Sequence, residues 1–304
     1  MTRGILIAGA LLLVVASAAP GAEDPAPPGK TPAGWHVASD VNLTLTQNAY
    51  SENWSGSESG AVSWALSANT LAEGRLSDRI LNETRLRLAF GQTHSQDRET
   101  KEWASPVKST DLVDLESVFR FTYGWAVDPY VSGRVESSIL DERDPAKTRY
   151  LNPTLFTESV GIARDLIREE KRSWTVRLGA ALRQHLDRDV LDADSGERAS
   201  ETTTDGGLEL VAEFRSPLAE DRITLESILR AYQGVMSSEE DELAGTPDED
   251  NWRALDVSWE NSLTASITSH LMVNLYVEAL YDKEIDQGVR FKETLSLGLT
   301  WRLL

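Results

Sequence analysis

The chain of 304 residues contains no cysteine, and its 30 Lys and Arg residues are outnumbered by 49 Asp and Glu residues. The missing cysteines exclude a disulfide framework, a thiolate metal site, a cysteine nucleophile and a lipid-modified cysteine. The net charge of −19 argues against nucleic acid as a partner, because its phosphates attract Lys and Arg. Beyond the N-terminus, no run approaches the roughly 20 apolar residues that a membrane helix needs.

The N-terminus has the pattern of a secretory signal peptide, predicted over residues 1–22. Arg3 precedes an apolar core at Ile5–Ala16, and Ala16-Ser17-Ala18 is a small-residue cleavage site. An N-terminal membrane anchor is the alternative, but the apolar run is too short for one. Residues 23–38 are rich in proline, so an extended mature N-terminal segment is predicted there.

Alternation of apolar and polar residues dominates the rest of the chain. In the last stretch, 291–304, the apolar residues Leu295, Leu297, Leu299, Trp301 and Leu303 all have one parity, while the other parity is polar or small. An extended strand with this period of two has one apolar and one polar face. About twelve such segments follow one another. They predict an all-β fold over residues 39–304, namely a transmembrane antiparallel up-and-down β-barrel of the outer-membrane type.

The connections between these segments alternate in length. Short links and longer polar links take turns along the chain, which is typical of outer-membrane barrels with short periplasmic turns and long extracellular loops. The pattern predicts the outer membrane of a Gram-negative bacterium, with both termini in the periplasm. Outer-membrane lipid and the barrel-assembly machinery are then the expected partners. A soluble β-sandwich is the alternative, but it explains the alternation without the asymmetry of the links.

Charged side chains recur on the polar parity, which is expected to face a water-filled interior. These residues are Arg85, Arg87, Arg120, Arg134, Arg177, Arg183, Glu209, Glu213, Glu226, Arg230, Asp256, Glu260 and Glu278, accompanied by Glu116, Glu136 and Arg215. The arginines concentrate in the first half of the barrel and the carboxylates in the second. A basic wall opposite an acidic wall would make a pore for small polar or charged solutes. The alternative is a network of ion pairs that fills the barrel.

Tryptophans near the predicted strand ends fit a membrane girdle, because an amphipathic ring is favoured at headgroup depth. The predicted girdle residues are Trp64, Trp125, Trp174, Trp259 and Trp301. A stacking platform for sugars is the alternative for any one of them.

The segment between the first two strands carries the most particular motif, with Asn53-Trp54, Gly56 and Glu58 before an alternating strand. It resembles the uncharacterised outer-membrane barrels grouped as domain-of-unknown-function family 3078. Lys108–Asp111 and Leu151–Pro153 also resemble that family's pattern. Gly56 is followed by Ser57 where the family prefers a second glycine. The resemblance implies a barrel and brings no known activity or catalytic residue. A structural reading of the motif is a tight loop with Trp54 at the barrel rim.

No catalytic constellation stands out, so a non-enzymatic barrel is expected, either a small passive channel or a structural barrel with acidic extracellular loops. A barrel enzyme acting on outer-membrane lipid or surface substrates is the alternative. His94-Ser95 is the adjacent pair that such chemistry would need. The acidic loop at 237–242 and 248–250 has clustered carboxylates but not the spacing of a calcium loop. No metal or cofactor is therefore expected.

Overall fold

A computed structural model describes residues 35–48, 59–97, 99–144, 146–191 and 196–303. Twelve strands form one closed antiparallel barrel in which each strand pairs with its neighbours along the chain, and the first strand pairs with the last to close the ring. The barrel strands are β1 (Trp35–Asn48), β2 (Ala61–Ser77), β3 (Ile80–Ser95), β4 (Val107–Phe121), β5 (Asp128–Ser137), β8 (Thr154–Arg168), β9 (Ser173–Leu191), β10 (Arg198–Leu218), β11 (Ile223–Ser237), β12 (Leu255–Ser266), β13 (Leu271–Tyr281) and β14 (Arg290–Arg302). The predicted fold class is confirmed.

Three small elements lie outside the ring, all of them in connections between barrel strands. A hairpin of β6 (Leu140–Asp141) and β7 (Arg149–Tyr150) lies between β5 and β8. A short helix α1 (Glu240–Leu243) and a 3-10 turn (Asn251–Arg253) lie between β11 and β12. Among the described residues, none of the helical segments has the length and apolar character needed to cross a bilayer.

The two ends of the barrel differ in their connections. At one end, called the short-turn end, the links contain two to six residues, as in Asp78–Arg79 between β2 and β3. At the other, called the long-loop end, they contain six to seventeen residues, the longest being 238–254 between β11 and β12. The N-terminal end of β1 and the C-terminal end of β14 both lie at the short-turn end. The opposite end of each strand is joined to its neighbour by a connection at the long-loop end.

Side-chain exposure follows the alternation within each strand. Val160, Leu178 and Leu208 are about half exposed on the outer surface, whereas Tyr130 and Val211 are buried on the inner one. This arrangement leaves an apolar outer surface and an inner surface made of polar, charged and aromatic side chains, as an outer-membrane barrel requires.

Strand β8, whose phase the sequence leaves unclear, places Glu158 and Arg164 on the outer face together with Val160 and Ile162. A register irregularity between Asp165 and Ile167 then shifts the end of the strand. The unclear phase therefore arises from outward charges and from this irregularity.

One predicted boundary is wrong. β1 begins at Trp35, inside the segment predicted as Pro-rich and extended, because Trp35 to Ser39 pair with Thr70 to Gly74 of β2 and the Trp35 ring fills the space above Gly74. β4 ends at Phe121, so Trp125 lies in the following connection. The backbone hydrogen bond from Thr122 N–H to the Arg79 carbonyl extends the β3–β4 ladder by one residue.

The predicted signal peptide, the rest of the Pro-rich segment to residue 34, and the motif residues Asn53, Trp54, Gly56 and Glu58 lie outside the described residues. They remain predictions.

Candidate functional site

Two inward carboxylates on the middle of β4 organise the barrel interior. Asp114 and Glu116 are both buried, and each accepts hydrogen bonds from two arginines. For Glu116 these are Arg177 on β9, at 2.6 Å, and Arg230 on β11, at 2.8 Å. A carboxylate with two guanidinium partners satisfies its lone pairs with charge-assisted hydrogen bonds, which are the strong kind.

Three ion pairs connect opposite walls of the barrel. Arg230 and Glu116 belong to strands five places apart in the ring of twelve, where six is the maximum. The same separation holds for Arg87 of β3 with Glu260 of β12, at 2.7 Å, and for Arg85 of β3 with Glu213 of β10, at 3.4 Å. Side chains that meet from opposite walls must occupy the lumen between them.

Shorter links join these pairs into two adjacent clusters, one around Asp114 and one around Glu116, which together are called here the central network. Asp114 binds Arg87 at 2.6 Å and Arg134 at 2.9 Å, so it lies between β3 and β5. Arg177 binds Glu213 at 3.1 Å in addition to Glu116. The members of the central network are Arg85, Arg87, Asp114, Glu116, Arg134, Arg177, Glu213, Arg230 and Glu260.

Separate ion pairs lie toward the two ends of the interior. Toward the short-turn end, Arg120 binds Asp128 at 2.7 Å and Asp165 at 2.8 Å. Toward the long-loop end, Arg183 binds Asp256 at 2.9 Å, and its guanidinium stacks 3.5 Å from the centre of the Tyr232 ring. Such stacking over an aromatic face adds attraction to the ion pair.

The remaining predicted lumen residues, Glu209, Glu226 and Glu278, form fewer or more exposed polar contacts. Glu209 accepts a hydrogen bond from the buried Ser159 hydroxyl at 2.6 Å. Glu226 pairs with Arg215 at 3.4 Å, and both side chains are half exposed. Glu278 is partly exposed, opposite Glu260 and Lys292 in the strand register. The structure thus pairs arginines with carboxylates across the interior instead of leaving them in separate walls.

Sequence reasoning missed several participants, among them Asp114, Asp128, Asp165 and Tyr276, whose hydroxyl donates to Glu260 at 3.0 Å. Asp114 has the same parity as Glu116 and Arg120 along β4, so the alternation itself carried a usable signal. Asp165 gave no such signal, because it lies beside the register irregularity of β8.

The five tryptophans predicted as a girdle lie at different heights. Trp174 is the second residue of β9 at the short-turn end and meets Phe214 edge to face, with ring centres 6.3 Å apart. Trp125 lies in the connection after β4, with its ring centre 5.0 Å from that of Tyr123. Trp301 lies near the short-turn end of β14. Trp64 lies near the long-loop end of β2, and Trp259, farther along β12, donates to the Ser227 hydroxyl at 3.0 Å.

A second polar cluster lies outside the barrel, at the β6–β7 hairpin. The fully buried amide of Asn152 donates to Asp141 at 2.8 Å and to Asp187 at 2.7 Å, and Arg149 binds the same two carboxylates. Burial alone would raise the pKa of Asp141, but hydrogen bonds from Arg143 and Asn152 hold that pKa below its usual range. Asn152 belongs to Leu151–Pro153, one of the motifs on which the predicted resemblance to family 3078 rests.

The other such motif contacts the same hairpin. Lys108 binds Asp111 at 2.8 Å, and Asp111 accepts the backbone N–H groups of Ile139 and Leu140 at 2.6 and 3.0 Å. Both motifs therefore fix one structured loop at the long-loop end of the barrel.

His94 and Ser95 do not form a catalytic pair. They are consecutive residues of β3, so their side chains leave opposite faces of the sheet. His94 is opposite Val62 in the register, and directly opposite residues lie on the same face.

The acidic loop between β11 and β12 forms ion pairs with a nearby arginine. Arg253 binds Glu240 at 2.6 Å and Asp250 at 3.3 Å, all three side chains being exposed. Within the described part of the chain, no three His, Asp or Glu side chains are grouped as a metal site would need.

No protein-family model and no curated protein matches the chain. Among solved structures, it is similar to the COG4313 outer membrane channel from Pseudomonas putida F1, with 17% identity, 92% of this chain and 99% of that chain covered, and a TM-score of 0.42. It is also similar to the translocator domain of the autotransporter NalP from Neisseria meningitidis, with 10% identity, coverage of 90% and 89%, and a TM-score of 0.37. The resemblance to family 3078 stays a prediction.

Proposed function

We propose that the protein is a narrow passive channel of the outer membrane, whose conductance is limited by the central network. The observation that carries this proposal is the set of three ion pairs between opposite walls. Small ions and small polar solutes are its expected cargo, because a charged lumen replaces part of their hydration shell and excludes apolar solutes.

The outer surface supports the membrane location. Half-exposed Leu and Val side chains surround the barrel, and a closed ring of strands satisfies most backbone hydrogen bonds internally, as hydrocarbon requires. With the short-turn end in the periplasm, the β6–β7 hairpin and the acidic loop lie outside the cell, and both described chain ends lie inside the periplasm. Outer-membrane lipid then surrounds the wall, and the barrel-assembly machinery inserts it.

The ion pairs also explain why the proposed channel is narrow. Arg87, Arg177 and Glu116 each bind two partners, so releasing one contact leaves the side chain held by another. A lumen crossed by such side chains passes ions only through the space between them. We infer a low conductance that rises when one cross-wall pair is removed.

The test is single-channel recording of the refolded protein in a planar bilayer. We expect a small conductance for the wild type and a larger one for Glu260→Gln, which frees the wall-to-wall contact with Arg87 while Arg87 keeps Asp114. Glu226→Gln is the matched control, because Glu226 pairs with Arg215 of the neighbouring strand and this pair does not span the lumen. A silent bilayer for both the wild type and Glu260→Gln would refute the channel and leave a structural barrel.

A further inference from the structure

The contact that closes the ring is the shortest in the barrel. β1 and β14 pair over Asp40–Thr44 and Gly298–Arg302, five residues on each strand. Each of the other eleven pairs of neighbouring barrel strands runs over at least eight residues.

Both strands continue beyond the segment in which they pair. β1 extends to Asn48 and β14 begins at Arg290, so a continued register would set Leu45 opposite Leu297 and Asn48 opposite Thr294. Among the described residues, neither edge has a strand partner there. We call the space between Leu45–Asn48 and Thr294–Leu297 the slit. At about 3.3 Å per residue, its four-residue edges are about 13 Å long.

Exposure marks the slit independently of the pairing. Residues 45–48 of β1 and 291–295 of β14 are exposed on both parities, whereas residues 61–64 of β2 and 277–280 of β13, which lie beside them, are only partly exposed. Successive residues of a strand point to opposite faces, so exposure on both faces indicates that the strand lacks a neighbour on one side.

The two faces of the slit differ in chemistry. Its outer rim is apolar and well exposed, with Leu45 at 60%, Leu295 at 67% and Leu297 at 53%. The inward parity carries the hydroxyl groups of Thr46, Thr294 and Ser296. Farther along β14 on the same inward parity, the Lys292 ammonium lies 5.9 Å from the centre of the Tyr276 ring.

We propose that the slit is a lateral opening that admits a single-chain amphiphile of the fatty-acid class from the membrane to the barrel interior. This rests on the proposed membrane location. Unpaired backbone groups in hydrocarbon cost several kcal/mol each, so a pure hydrocarbon is a poor occupant. An amphiphile places its chain against the leucine rim, while its head group hydrogen-bonds the unpaired backbone groups and the hydroxyls of Thr46 and Thr294, and Lys292 attracts a carboxylate.

The absence of cysteine from the wild type makes every introduced cysteine unique. In the first arm, Thr46→Cys/Ser296→Cys is compared with Asn42→Cys/Thr300→Cys, the corresponding inward pair four residues along each strand in the segment that does pair. A disulfide requires Cα atoms roughly 4.4–6.8 Å apart. We expect mild oxidation to join the 42/300 pair and not the 46/296 pair. Equal crosslinking of both pairs would overturn the slit.

In the second arm, a bimane label is read in vesicles containing a doxyl-labelled fatty acid as quencher. Thr294→Cys is compared with Ser262→Cys, an inward residue two strands away on the same row of the register. We expect several-fold stronger quenching at position 294. Quenching there no stronger than at position 262 would overturn the proposal, and would leave a strand of a second copy as the occupant of the free edges.

An outward control separates this failure from that of the membrane location. Leu275→Cys is opposite Leu295 on the outer face, so its label is quenched in any barrel that lies in the bilayer. An unquenched label at position 275 would refute the membrane location itself.

Discussion

Removing the charge of Glu116 tests whether the central network is a set of coupled buried ion pairs. In the structure the carboxylate is bound by Arg177 and Arg230, and the three side chains are only 10%, 5% and 9% exposed. Glu116→Gln keeps the size but leaves two buried guanidinium groups facing a neutral amide. Breaking a buried pair in this way costs about 3–5 kcal/mol, and the loss of two partners favours the upper part of that range.

The measurement is urea unfolding of the refolded barrel in lipid vesicles, followed by tryptophan fluorescence and by the heat-dependent shift on a gel. Glu226→Gln is the control, because its pair with Arg215 is half exposed and is expected to contribute about 0–1 kcal/mol. If Glu116→Gln lost no more stability than Glu226→Gln, water would already screen the interior charges and the network would not restrict the lumen.

Two further predictions concern the hairpin cluster and the close packing of the wall. Asp141→Asn removes the charge-assisted hydrogen bonds from Arg143 and Arg149, and we expect the β6–β7 hairpin to lose about 1.5–3 kcal/mol of local stability, measured by hydrogen exchange. Because the pKa of Asp141 is depressed in the folded protein, the wild-type hairpin keeps this stability above the ordinary Asp pKa of about 3.9 and loses it as the pH falls through the lower folded value. Protection of the hairpin that fell already near pH 6 would contradict this assignment. Gly179→Ala places a Cβ 2.5 Å from the Val160 carbonyl and 2.7 Å from the Tyr130 hydroxyl, so we expect a loss of about 1–3 kcal/mol in urea unfolding. Gly133→Ala meets no atom within 4 Å and is the matched control.

The fold could be predicted because alternation is a local signal and because closure in lipid leaves few architectures. Leu295 to Leu303 show one apolar parity, and the same period recurs in most of the barrel strands, β8 being the exception. The prediction was wrong where contacts between distant residues decide the outcome. The start of β1 depends on the Trp35 ring packing over Gly74, and no pattern near Trp35 indicates it.

The sequence predicted which residues face the interior, but not which of them contact one another. Parity places Arg87 and Glu260 on the inward face, but their meeting depends on the register of every strand between them around the ring. The same limit applies to the slit. Thr46 and Ser296 each lie in a regular alternating stretch, and nothing local to either strand indicates that pairing stops at Thr44 and Gly298.

Stability alone does not explain why the interior is filled with paired charges, since replacing a buried ion pair by well-packed apolar residues is often neutral or stabilising. In the proposed channel, the network has a different role, because a change of charge would open it without moving the wall. The slit is a break in the wall itself, on β1 and β14. Glu213→Gln, which removes the wall-to-wall contact with Arg85, should therefore raise axial conductance without altering lipid quenching at position 294, because that contact involves neither strand of the slit. A variant that changed both readouts together would show that the lumen and the slit open as one, and the two proposals would reduce to one movement of the barrel.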